Sequence, residues 1–198
     1  KTYKALKNKY FKNELCQTTL KDEVRADTTL AKLSQLKPVF KTKGSVSAGN
    51  ASSLNDGAAF LALASPEYIK ANKIKPLAKV LAWSSSAGNP DYMGITPITS
   101  IQKLMKKMSV NISFFDLIEI NEAFAATSVA VQRSLKIDPN KLNIAGGAIA
   151  LGHPIGCSGT RIVTTLAHQL KRTKKKFGVA SMCIGGGQGL AMAIEKLY

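Results

Sequence analysis

Over the last two-thirds of the chain, apolar positions follow two periods in turn. Ile98, Ile101, Leu104, Met105 and Met108 recur at i, i+3 and i+4, which predicts a helix from Thr96-Pro97 to Met108. A second helix is predicted from Cys157 or Ser158 to Leu170, with a basic end that suits its C-terminal dipole. Glu122–Leu135 carries a continuous small and apolar face and reads as a third. Short apolar runs at Ala78–Ser85, Phe114–Ile120, Leu142–Ala145, Gly178–Ile184 and Leu190–Glu195 read as strands. The last two flank GGGQG, a hairpin-like turn. The order β-α-β-α-β-α-β-β predicts an α/β fold with a mixed five-stranded sheet covered by helices. Three crossovers give parallel neighbours and the final hairpin gives one antiparallel pair.

Residues 1–54 read differently from the rest. Lys1–Leu36 is charged and weakly periodic, with Thr28 or Thr29 capping a short helix that Pro38 ends. GSVSAGNASSLNDG (Gly44–Gly57) consists of small and turn-forming residues and is too long for an idle connection, so a functional loop is expected. The apolar run AAFLALA (Ala58–Ala64) predicts a buried strand or helix, and Ser65-Pro66 opens a helix to about Asn72.

Composition narrows the classes. Apolar residues make up 45% and charged residues 20%, ordinary globular usage that excludes wholesale disorder. No apolar run reaches the roughly 18 residues of a membrane span, and KTYKALKNKYFKNELC holds no signal-type apolar stretch. Cys16, Cys157 and Cys183 lack the spacing of a disulfide framework or a zinc site, and no metal is expected. A reducing compartment follows, cytoplasmic or mitochondrial matrix. The net charge of +16 raises nucleic acid or an anionic surface as a partner, but 24 of the 28 basic residues are Lys. Specific phosphate and base readout favours the bidentate Arg fork, so a solvated lysine surface is expected, densest at Lys1–Lys12 and Lys171–Lys176.

Three points at the ends of predicted strands are placed for chemistry, since open α/β sheets bind ligands there. In IEINEAFAA, Asn121 either caps the helix or offers its amide to a water or carbonyl oxygen. In GGAIALGHPIGCSGTR, Gly146, Gly147, Gly152, Gly156 and Gly159 surround His153, which is poorly placed for core packing between Gly152 and Pro154. His168, within a helix beside the lysines, reads as surface. In SMCIGGGQG, Cys183 is either a small buried hydrophobe or a proton-exchanging thiol beside glycine N–H groups. GGGQG leads into a strand, which dismisses a dinucleotide fingerprint.

Together NEAFA (121–125), GGAIALGHPIGCSG (146–159) and CIGGGQG (183–189) resemble the thiolase family, and AGNASSLNDGAA (48–59) resembles its coenzyme A-facing loop. The resemblance is greatest to acetyl-CoA acetyltransferases. It implies condensation of two acetyl-CoA to acetoacetyl-CoA and CoA, or the reverse thiolysis of 3-ketoacyl-CoA, through an acyl-cysteine. By resemblance, His153 activates the nucleophile and helps bind the thioester oxygen, and Asn121 holds the water completing that oxyanion site. Cys183 is the acid/base at the acetyl methyl group, and the Gly185 N–H contributes to the other oxyanion hole. Ser52, Ala48 and Leu54 line the pantetheine arm, Arg25 lies near the nucleotide, and Phe124 and Met93 wall the thioester. No cofactor is implied beyond CoA thioesters as substrates. The chemistry needs a tuned base, an oxyanion hole for the enolate and a reactive thiolate.

The resemblance also implies a nucleophilic cysteine in a first half of the fold. Cys16 lies in a charged context (ELCQT) and Cys157 in the segment after His153, and neither takes that role by spacing. The expectation is a C-terminal half of a thiolase-like fold, layered against an N-terminal half that supplies the nucleophile. Residues 1–54 form the tail of the loop domain, 55–76 the end of the N-terminal domain and 77–198 the C-terminal domain. A homodimer or homotetramer is implied, although nothing resembles the family's tetramerisation hairpin. The alternative is a non-catalytic protein that binds CoA or acyl-CoA. The ketoacyl synthases share the fold, but Cys183 before the glycine turn favours thiolase.

Overall fold

The computed structural model describes residues 25–198. Its centre is a four-stranded mixed sheet of order β1-β4-β3-β2, built from β1 (Ala78–Ala87), β2 (Leu117–Ile120), β3 (Phe177–Ile184) and β4 (Gln188–Lys196). β2 and β3 run parallel, from Leu117 opposite Gly178 to Ile120 opposite Ser181. β3–β4 and β1–β4 are antiparallel. Among the described residues the α-helices are α1 (Leu30–Ser34), α2 (Pro66–Ala71), α3 (Thr96–Met108), α4 (Ala125–Leu135), α5 (Ala148–Leu151) and α6 (Ser158–Arg172).

Strand alternation assigns the two faces of the sheet. Ile118, Ile120, Val179, Ala191 and Ala193 pack with Ile101 and Leu104 of α3 and Val131 and Leu135 of α4. On the other face Leu117, Ala180 and Ile194 meet Ile162, Leu166, Ala167 and Leu170 of α6. The i, i+4 and i+8 spacing of Ile162, Leu166 and Leu170 explains why one stripe of α6 is buried and its lysine-bearing face is not.

Thr96–Met108 forms the predicted helix, and Thr29 and Ser65 cap α1 and α2 through their hydroxyls. Four expectations are corrected. The run 142–145 is not a strand: it contributes a single parallel bridge, Ile118 to Leu142, because Asn143 turns there with φ +46°. The sheet therefore has four strands, with one parallel pair instead of three. β2 starts at Leu117, since the Asn111 side chain accepts from Ser113 N and opens a 3-10 turn, Ile112–Phe114. α4 starts at Ala125, since Phe124 is held extended against Ala51.

The fourth correction concerns 58–64, which forms neither helix nor strand and lies at the surface, with Phe60 84% and Leu63 83% exposed. A strand needs a ladder partner, and among the described residues none pairs with it.

The Lys171–Lys176 cluster lies at the end of α6, where Lys176 pairs with Glu195 at 3.2 Å. The expectations for Lys1–Lys12 and Cys16 fall outside the described residues. No helix among the described residues is long and apolar enough to cross a membrane.

Candidate functional site

Asn121 ends β2. Its N–H donates to Ser181 O (3.0 Å), which carries the sheet one residue further, and its side chain is completely buried. It does not cap α4, whose N-cap is Phe124. The amide nitrogen lies 3.3 Å from His153 Nε2, and Oδ1 is buried with no hydrogen-bond partner. Such an orphaned oxygen is costly unless something donates to it.

His153 sits between α5 and α6. Its Nδ1 lies 2.6 Å from Ser158 Oγ, and its backbone N–H donates to Ser53 O (3.0 Å). Burial, assisted by the positive charge of Arg161, holds the imidazole below its ordinary pKa. The ring is therefore neutral at pH 7 and able to accept a proton. His168, by contrast, is exposed on α6.

Two devices hold this turn. The first is Glu122, whose Oε2 accepts from Ile149 N at the start of α5 (3.2 Å) and whose Oε1 accepts from Asn143 Nδ2 (3.0 Å). Its carboxylate occupies the space a Cβ at Gly147 would need. The second is the segment 50–57. Ser52 N and Oγ both donate to Ala123 O at 3.0 Å, and Ala125 N donates to Asn50 O at 2.8 Å. Asn55 then fills the space beside Gly152, whose φ of +93° suits glycine. Gly57 lies against Pro154 and Cys157, so Cys157 is a buried packing contact of this strap.

Cys183 lies in β3 opposite Gly189, 5% exposed. Burial raises its pKa, against a smaller lowering by its backbone hydrogen bond, so the group is a thiol at neutral pH. Gly185 and Gly186 are exposed in the turn, with Gly186 at φ +84°. The turn is seated on the 3-10 segment Pro90–Ile95: Gly88 N donates to Gly187 O (2.8 Å), and Thr96 Oγ1 lies 2.6 Å from Gln188 O and 2.7 Å from Met93 O. A Cβ at Gly187 would strike Gly88 O and Pro90.

Besides Cys183 in β3 and Gly185 in the turn after it, the other sequence-expected residues lie apart from one another to differing degrees. His153 and Asn121 touch, and Ser52 is bonded to the backbone beside Phe124. Phe124 and Met93 are half-buried, Phe124 edge-on to Phe40 at 6.3 Å. Ala48 and Arg25 are exposed and Leu54 is 87% exposed; Arg25 takes part in the local turn preceding α1 through its carbonyl, which accepts from Thr28 Oγ1. Sequence reasoning missed Ser158, Glu122, Ser53 and Asn55. Only the 3.6-residue turn of the α6 opening, which brings Ser158 back under its own loop, was a usable signal for the first.

The pattern has counterparts among known proteins. The sequence model of the thiolase C-terminal domain matches residues 74–196, and that of the thiolase N-terminal domain matches residues 1–67. The chain belongs to the thiolase family. It is 48% identical over 180 residues to mitochondrial 3-ketoacyl-CoA thiolase of Rattus norvegicus, covering 90% of this chain and 45% of the relative. The crystal structure of the Bacillus anthracis acetyl-CoA acetyltransferase superposes with a TM-score of 0.88 at 44% identity, over 98% of this chain and 52% of that one. Human mitochondrial 3-ketoacyl-CoA thiolase in complex with CoA gives 0.84 at 45% identity, over 91% and 46%. This thiolase chain spans about half the length of the relatives it matches. Within it the motifs around Asn121, His153 and Cys183 all lie in the part matched by the C-terminal domain.

Proposed function

We propose that this chain supplies the base, oxyanion-binding and acid/base groups of a thiolase that interconverts 3-ketoacyl-CoA plus CoA with acetyl-CoA and a shortened acyl-CoA, acetoacetyl-CoA being the smallest such substrate. A cysteine nucleophile comes from an N-terminal thiolase half. The observation that carries the reading is the pairing of His153 Nε2 with the buried Asn121 amide at 3.3 Å, with Asn121 Oδ1 left unpartnered.

In thiolysis, His153 Nε2 takes the proton of the nucleophilic cysteine, whose sulfur attacks the 3-keto carbon. His153 and an Asn121-held water steady the resulting oxyanion. The C2–C3 bond breaks, and the departing enolate of acetyl-CoA, steadied by the Gly185 N–H, takes its proton from the Cys183 thiol. The Cys183 thiolate then accepts the proton of incoming CoA. The CoA sulfur attacks the acyl-cysteine, and the released cysteine regains its proton from His153. A thiol whose pKa burial has raised is a good proton store for this exchange. Ser52, held at Ala123, and the nearby Ala48 and Leu54 offer the loop for the pantetheine arm, with Phe124 and Met93 along the thioester and Arg25 toward the nucleotide.

The exposed run 58–64 supports the need for a covering half, since Phe60 and Leu63 lie at the surface in a segment matched by the N-terminal domain. We place the tail of the loop domain at 1–54, the end of the N-terminal domain at 55–76 and the C-terminal domain at 77–198, in a homodimer or homotetramer. We place the protein in the mitochondrial matrix or the cytoplasm; the rat and human relatives, mitochondrial by name, support the mitochondrion.

The test is acetoacetyl-CoA thiolysis by this chain joined to an N-terminal thiolase half, followed by loss of the substrate's enolate absorbance. Turnover is expected, and His153→Ala should abolish it. Turnover that survives His153→Ala would overturn the assignment.

A further inference from the structure

We infer that Ser158 is a positioning residue that fixes the tautomer of His153, keeping the proton on Nδ1 and the lone pair on Nε2. The inference rests on the reading of His153 as the base. Ser158 is the first residue of α6 and is completely buried, so no water substitutes for its hydroxyl. Its Oγ lies 3.0 Å from Pro154 O and 2.6 Å from His153 Nδ1. A carbonyl only accepts, and a hydroxyl has one proton to donate. With that proton on Pro154 O, Ser158 presents lone pairs to the ring, and Nδ1 supplies the hydrogen of the 2.6 Å contact.

The opposite side of the ring, with the Asn121 amide nitrogen toward it, accommodates the same form. Nε2 faces Asn121 Nδ2, which only donates, at 3.3 Å. An unprotonated Nε2 accepts this bond, whereas Nε2–H would meet donor with donor. Cys157 N and Ser158 N also donate to Pro154 O at 3.0 Å, and this pins the turn that brings the hydroxyl under the ring.

The alternative tautomer is close at hand. Turning the Asn121 amide by 180° would present its unpartnered Oδ1 to an Nε2–H. Ser158 holds the ring against that arrangement, in which Nε2 has no lone pair for a thiol proton. Without the Ser158 oxygen, a proton on Nδ1 would lose its acceptor, and the ring would move to the Nε2–H form.

The experiment is long-range 1H–15N correlation NMR of the imidazole rings in 15N-labelled protein at a pH where His153 is neutral, with His168→Gln assigning the second histidine. The unaltered protein is expected to show the Nδ1–H form. Ser158→Ala should move His153 toward Nε2–H, and Ser158→Thr, which keeps the hydroxyl, should retain Nδ1–H. In the assembled enzyme Ser158→Ala should lower kcat about 10²-fold with KM little changed, as loss of a positioned base does, and Thr should restore it. An Nε2–H ring in the unaltered protein, or an Nδ1–H ring unchanged in Ser158→Ala, would overturn the proposal. A tautomer that shifts while thiolysis is unaffected would uphold the Ser158 contact and overturn the base assignment.

Discussion

Glu119 is a carboxyl in the wrong solvent, and its removal should make the protein less sensitive to alkaline pH. It sits in β2 between Ile118 and Ile120, 2% exposed, on the sheet face of Leu117 and α6. Burial is the largest influence on it and raises its pKa; Arg161 lowers it and Glu122 raises it again, leaving it at about 7. The attraction of Arg161 is incomplete, since the two form no ion pair and Arg161 Nε is itself buried without a partner. The folded protein therefore keeps a proton that the unfolded chain releases near its ordinary 4.5. With more protons bound in the folded state, stability falls as pH rises from about 4.5 to about 7 and levels off above it. At 1.36 kcal/mol per pKa unit the full loss is about 3 kcal/mol. Glu119→Gln keeps the shape and removes the titration. Urea unfolding at pH 5 and pH 8.5 should show the unaltered protein losing about 2–3 kcal/mol more across that interval than Glu119→Gln. Equal losses in the two proteins would refute the reasoning, because they would mean that Glu119 is ionised throughout.

The other expectations are narrower. Gly147→Ala places a methyl on the Glu122 carboxylate and should cost about 1–3 kcal/mol by urea denaturation, by displacing its bonds to Ile149 N and Asn143; an unchanged midpoint would show that the carboxylate moves freely. Leu166→Ala empties a fully buried position under the sheet and should cost about 2–5 kcal/mol, read as a fall in Tm. Cys183 should resist iodoacetamide at pH 8 in the folded protein and react fully on unfolding, by peptide mass spectrometry, since it is buried and protonated. Burial should keep the NMR titration midpoint of the His153 imidazole below its ordinary 6.5; a midpoint above 6.5 would contradict the burial argument.

Much of the fold was legible because local physics repeats there. The Ile98–Met108 stripe could only be one face of a helix, and the pair of apolar runs around GGGQG could only be a hairpin. Asn121, His153 and Cys183 stood out as candidates because each polar group stands at a strand end or among glycines that make no sense as packing, and the structure brings the first two within 3.3 Å. The misreadings have a common cause. The apolar runs 58–64 and 142–145 have strand composition, but whether a strand forms depends on what lies beside it. Asn121 looked like a helix cap because its neighbour Phe124 is diverted to pair with Ala51, a partner over seventy positions earlier.

By itself, then, the sequence determined the helices with a clear stripe, the hairpin and the family, and it singled out Asn121 and His153, which the fold brings into contact. Periodicity and glycine placement are local properties written into successive residues. Only the tertiary structure decided that β1 pairs with β4 at the sheet edge, that Glu119 lies in a medium that raises its pKa to about 7, and that Ser53 and Ser158 hold His153 from backbone and ring. Those outcomes depend on distances between residues far apart in the chain, or on which way a turn brings them back, and desolvation and hydrogen-bond direction act through such distances.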